Sequence, residues 1–165
     1  MRKALLSGKS IIPVSFVVAL LLTALPLPAW ALDWRPLWVP MVLIYWCMAA
    51  PDRVGLAAAF LLGLLLDVYE GVALGQNPLG LCVIVYCIGS LYRQLRHFPL
   101  VQQSLVVLAL LFLYLFIGLV VRVVIAVPPE DWSYWLPAIT SMVLWPWLFL
   151  VLRDLRRKFF RRKFS

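Results

Sequence analysis

Asp67 and Glu70 stand three residues apart inside the run Phe60-Leu-Leu-Gly63-Leu-Leu-Leu-Asp67-Val-Tyr-Glu70-Gly71-Val-Ala-Leu-Gly75-Gln-Asn-Pro78-Leu-Gly80-Leu81. On a helix this spacing places both carboxylates on one face. A hydrolytic carboxylate dyad uses such a pair around a water-filled cleft. No third reactive group joins them. The single histidine, His97, lies in a basic loop beside Arg96 and Pro99. The chain has no GxSxG, HExxH or Walker loop. Cys47, Cys82 and Cys87 all fall in apolar runs, and the spacing of the last two fits neither a CxxC pair nor a zinc site. They read as small hydrophobes. The expectation is a protein that is not an enzyme and carries no metal or cofactor.

The elements that position these residues are membrane helices. Of 165 residues, 65% are hydrophobic, with a mean hydropathy of +0.99. Soluble domains are about 45–50% apolar. The apolar runs are continuous, which argues against the alternating strands of an outer-membrane barrel. The expected fold is all-α: one integral membrane domain over residues 1–165, a bundle of about six transmembrane helices.

The six segments read as 11–32, 37–50, 54–74, 79–92, 105–127 and 135–152, followed by a basic cytoplasmic tail at 153–165. The second and fourth have about fourteen residues, roughly 21 Å of helix against a hydrocarbon core of about 30 Å. Placing the N-terminus inside puts thirteen of the fifteen Lys and Arg on the cytoplasmic side. Both termini are then cytoplasmic by the positive-inside rule. Trp30, Trp34 and Trp38 cluster at the first outer turn, and Trp132 and Trp135 at the last, as an interfacial belt requires. Ala29-Trp30-Ala31 also resembles a signal-peptide cleavage site. The apolar stretch before it is long enough to span, so a retained helix is expected.

A carboxylate among leucines at membrane depth costs about 2.5–3.5 kcal/mol on insertion scales, so Asp67 needs a partner or water. Arg122, inside the fifth segment, would share the outer leaflet with it, and an intramembrane ion pair is one solution. In the other, Arg122 snorkels to headgroups while Asp67 hydrates near the surface. Sequence leaves both open. Six of the eight glycines lie between positions 55 and 89, marking the third and fourth segments as closely packed or irregular. Gly71 and Gly75 precede Gln76-Asn77-Pro78 and read as a turn rather than a dimerisation motif. In the tail, Arg156, Arg157, Lys158, Arg161, Arg162 and Lys163 alternate with phenylalanines. They suit anionic membrane lipid at about 1 kcal/mol per basic residue, not nucleic acid.

The run from Phe60 to Leu79 resembles the signature of the MreD family of bacterial rod shape-determining proteins. Arg35-Pro36 through Pro51-Asp52-Arg53-Val54-Gly55, and Tyr92-Arg93 through Gln102-Gln103, are similar to the same family. The resemblance covers most of residues 30–120. It implies a multi-pass protein of the bacterial inner membrane that serves cell elongation. It also implies a link between peptidoglycan synthesis and the cytoskeleton, with MreC, MreB, RodA and a class B penicillin-binding protein as partners. The fold it implies is similar to the substrate-binding subunits of ECF transporters, and no catalysis is attributed to the family. Its motif falls on Gly63, Asp67, Gly71 and Gly75, which are motif positions for structure or partner binding. The mechanism expected is a groove between segments three and four that docks a helix of MreC or of a synthase. The alternative is a small-molecule-binding subunit of an ECF-type transporter.

Overall fold

Prolines and glycines set where the helices begin and end. A computed structural model describes residues 10–129 and 131–161, the side chains of 160 and 161 excepted. Arg162 and Lys163 therefore lie outside the described residues, as does the side chain of Arg161. The helices are α1 (Ile11–Ala24), α2 (Ala29–Leu32), α3 (Trp38–Ala49), α4 (Leu56–Glu70), α5 (Gln76–Leu95), α6 (Leu100–Val124) and α7 (Leu136–Arg161). A 3-10 turn, Trp132–Trp135, leads into α7. There are no strands among the described residues.

Pro13, Pro40 and Pro78 each sit at the third position of a helix, in α1, α3 and α5. First-turn N–H groups have no intrahelical acceptor, so proline is tolerated there. This corrects the fourth segment. It begins at Gln76, carries Pro78 in its first turn and runs 20 residues to Leu95. Similarly, α6 starts directly after Pro99, earlier than the expected 105. The segment 11–32 divides, because Pro26 and Pro28 separate α1 from the short α2. The third ends at Gly71 rather than 74. The last continues as helix past 152 to Arg161, so the described part of the basic tail is helical.

Three helical segments are long and apolar enough to cross a membrane: Gln76–Leu95, Leu100–Val124 and Trp132–Phe159. The apolar helices α1 and α3 have 14 and 12 residues, and α4 has 15. Helix length alone thus marks three crossings, not six.

The centre of the bundle is α3. Every residue from Val39 to Met48 is buried, and α3 packs against α1, α5, α6 and α7. A helix that is apolar on all sides requires such a position. Trp46 Nε1 donates to Ser15 Oγ of α1 at 2.7 Å, and the Leu37 N–H donates to Ser141 Oγ of α7 at 2.9 Å. Edge-on contacts join Tyr45 to Trp46 and Phe149, with centroids 5.2 and 5.6 Å apart. At the far end of α3, Arg96 Nε donates to Met48 O at 2.8 Å and Arg156 Nη1 to Ala49 O at 3.4 Å. Cations thus meet the carbonyl end of the helix dipole.

By contrast, α4 is peripheral and packs chiefly on α5. Gly63 makes that approach possible. A Cβ there would collide with the Cα and N of Pro78 and lie 2.8 Å from its Cδ. Backbone cannot yield as a flexible side chain does. Gly63→Ala is expected to destabilise the protein by about 1–3 kcal/mol through overpacking. Gly89→Ala on α5, with nothing within 4 Å of the added atom, should be neutral or gain up to about 1 kcal/mol. Thermal unfolding of both variants in mild detergent checks the contrast; equal melting temperatures would contradict it.

Candidate functional site

The segment from Gly63 to Pro78 folds as a helical hairpin with Asp67 at its heart. Asp67 is 1% exposed. Its Oδ2 accepts the Gly75 N–H at 2.7 Å and its Oδ1 the Asn77 N–H at 3.0 Å. Gly75 is the N-cap of α5, so a carboxylate one helix upstream supplies what an N-cap side chain ordinarily supplies. The remaining first-turn donors are also satisfied. Gln76 N–H reaches Ala73 O at 3.2 Å, Pro78 has no N–H, and Leu79 N–H reaches Gly75 O at 3.1 Å.

The turn depends on two left-handed glycines, Gly71 at φ +66° and Gly75 at φ +102°. Residues with a Cβ rarely adopt these conformations. Gly71 ends α4, and the Val72 N–H then returns to Asp67 O at 3.2 Å. Both backbone and side chain of Asp67 therefore fasten the turn. The four motif residues divide the work: Gly63 admits Pro78, Gly71 and Gly75 form the corner, and Asp67 locks it.

Asn77 extends the lock to a third helix. Its Nδ2 donates to Glu70 Oε2 at 3.0 Å, and its Oδ1 accepts a short hydrogen bond from the Tyr114 hydroxyl of α6. Gly80 makes room for that ring, since a Cβ there would lie 2.6 Å from Tyr114 Cδ2. Sequence reasoning missed Asn77 and Tyr114. The available signal was a polar Gln-Asn pair directly after Gly75 and one hydroxyl within an apolar run.

Asp67 and Arg122 form no ion pair. The carboxylate is already satisfied by peptide N–H groups from its own hairpin, so no distant cation is needed. Instead, the Arg122 guanidinium lies 5.4 Å from the centroid of the Tyr134 ring, and its Nε has no hydrogen-bond partner. Nor do Asp67 and Glu70 make a catalytic dyad, because Asp67 is sealed in the turn. The expected groove between segments three and four is closed as well. Gly63 lies against Pro78, and Leu66 is 3% exposed.

What does open at this end is a cavity of about 550 Å³. Glu70, Gln76, Tyr114 and Arg122 line it with Asp33 and Arg35. Gln76 is buried and its Oε1 has no partner. Opposite, Tyr134 donates to Leu115 O at 2.6 Å over Gly118. No group of three or more metal-ligating side chains occurs among the described residues.

The chain matches the family described as rod shape-determining protein MreD over residues 6–155. The chain belongs to the MreD family. A curated relative, the rod shape-determining protein MreD of Haemophilus influenzae, is 36% identical over 143 residues, covering 87% of this chain and 88% of the relative. No solved structure matches. The resemblance first carried by residues 30–120 thus extends over nearly the whole chain, and the hairpin of Gly63, Asp67, Gly71 and Gly75 lies within the matched residues.

Removing the Asp67 carboxylate leaves two N–H groups without acceptors, each costing about 1–3 kcal/mol. Asp67→Ala should therefore lower the melting temperature more than Asp67→Asn, which retains one acceptor oxygen. Exchanging the charges, Asp67→Arg with Arg122→Asp, should not restore stability over Asp67→Arg alone. Recovery in the double variant, read by protease resistance of the detergent-solubilised protein, would show that the two charges do pair.

Proposed function

We propose that this protein is a non-catalytic, multi-pass component of the bacterial inner membrane that docks MreC within the rod-shape complex. Six crossings place both termini in the cytoplasm, with α1, α3 and α4 spanning as short helices. The hairpin of α4 and α5 is the docking element. The observation that carries this reading is the exposed face of α4. Packed on α5 alone to any extent, it presents Leu61, Leu65 and Val68 at 62%, 54% and 73% exposure. These positions follow a helical stripe suited to a partner's transmembrane helix. The lock at Asp67 holds that stripe rigidly against the bundle. In the same reading MreB approaches from the cytoplasmic end, while RodA and a class B penicillin-binding protein join through the larger complex, linking peptidoglycan synthesis to the cytoskeleton.

A second reading, a small-molecule-binding subunit akin to those of ECF transporters, draws on the polar cavity and the unpartnered Gln76 Oε1. Such a subunit would retain a small ligand on purification and bring down an ATPase module. A shape component would do neither, and its depletion would round the cells.

In a background with Cys47, Cys82 and Cys87 replaced, cysteines at Leu61, Leu65 and Val68 should crosslink to MreC in membranes. Val17 on α1, equally lipid-accessible at 54%, should not. Crosslinking from Val17 as strong as from Leu65, or none from α4, would refute the assignment.

A further inference from the structure

At the end of the bundle away from Asp67, a cavity of about 600 Å³ lies among the finishing turns of α3, α5 and α7. Arg53, Arg96, Arg156 and Arg157 line it with a single acid, Asp52. Arg96 and Arg156 also border a neighbouring space of about 330 Å³, together with Arg153 and Tyr45. The Tyr45 hydroxyl is buried there without a hydrogen-bond partner. Guanidinium groups and an unpaired phenol are donors, and donors here far outnumber acceptors. Their natural complement is a phosphate, which guanidinium forks bind bidentately.

Beside these arginines an apolar groove of about 370 Å³ runs between α1 and α7. The two sites meet on the same helical turns. Ile11, Leu155 and Phe159 face the groove, while Ile12, Arg156 and Arg157 face the basic cavity. Along α1 the groove reaches from Ile11 to Leu22, a rise of roughly 16 Å. That is about half of a 30 Å hydrocarbon core, the depth of one leaflet. An apolar groove of one-leaflet length that adjoins arginines suits an acyl chain whose headgroup carries a phosphate.

We infer that α1, α3 and α7 build a binding site for an anionic phospholipid, with its phosphate on Arg156 and Arg157 and an acyl chain between α1 and α7. This is a defined site, distinct from diffuse attraction to a basic tail. Assigning the lipid to the cytoplasmic leaflet rests on the orientation proposed above; the site itself is independent of MreC docking.

The test is native mass spectrometry of the full chain, exchanged into equimolar phosphatidylglycerol and phosphatidylcholine of matched chain length. One phosphatidylglycerol should be retained, at least about tenfold over phosphatidylcholine. Arg157→Gln should weaken its retention about fivefold, and Arg156→Gln with Arg157→Gln about thirtyfold, taking each basic residue as worth about 1 kcal/mol. The Arg157 side chain makes no hydrogen bond among the described residues, so the single variant decides the matter if loss of the Arg156 bond to Ala49 unfolds the pair. Arg93→Gln, whose side chain lines neither space, should change retention less than about twofold. Val18→Trp should block the groove and release both lipids. Equal retention of the two lipids would overturn the inference. So would an Arg93→Gln loss matching that of Arg157→Gln, or full retention in Val18→Trp. Competition by glycerophosphoglycerol, which has no acyl chains, would overturn it in favour of a soluble phosphate ester.

Discussion

The carboxylate of Asp67 is shared between two peptide N–H groups at the start of α5, and much of the surrounding structure depends on that arrangement. An acid at membrane depth costs about 2.5–3.5 kcal/mol on insertion scales. Each charge-assisted hydrogen bond contributes about 1.5–3 kcal/mol, and the positive end of the α5 dipole adds about 0.3–1 kcal/mol. The opposing effects are therefore of similar size. Asp67 can be retained in an apolar bundle because it closes a turn that would otherwise expose unsatisfied backbone. With the turn closed, Pro78 meets Gly63, and Asn77 is aimed at Glu70 and Tyr114. A single side chain thus organises contacts among α4, α5 and α6.

The same physics recurs with opposite sign at the other end of the bundle. There the carbonyl groups that finish α3 are met by Arg96 and Arg156. An acid serves a helix N-terminus and arginines serve a helix C-terminus, as the dipole favours. Between these ends α3 is buried on nearly every side, so a helix of 12 residues can sit at the core without meeting lipid along its length. Most other charged groups among the described residues border cavities. The cavity near Asp67 mixes acids and bases, whereas the one at the end of α3 is dominated by arginine. This difference separates a polar end from one suited to anionic headgroups.

Much of this was legible in sequence, and the failures have definite causes. The helical class followed from continuous apolar runs, and Asp67 with its glycines stood out through chemical incongruity. The turn at Gly71 and Gly75 was readable because only glycine adopts those backbone angles at low cost. Pro78 reads in sequence as a stop before the fourth segment, whereas the first turn of a helix tolerates proline. For Asp67, sequence leaves a cation and water both open as partners. Charge patterning points to cations, but peptide N–H groups carry no sequence signature, so a backbone acceptor role was invisible. Tyr114 was hidden because an aromatic residue in an apolar run ordinarily signifies packing alone. The role of α4 as an edge helix required tertiary contacts that no periodicity could disclose.

Amide hydrogen exchange at Gly75 and Asn77, in the full chain in mild detergent, addresses the role of Asp67 most directly. If its carboxylate holds both N–H groups, they will exchange as slowly as amides in the interior of α5, and Asp67→Ala will accelerate both while leaving the middle of α6 unchanged. Rapid exchange of both in the unaltered protein, or protection that survives Asp67→Ala, would contradict the account.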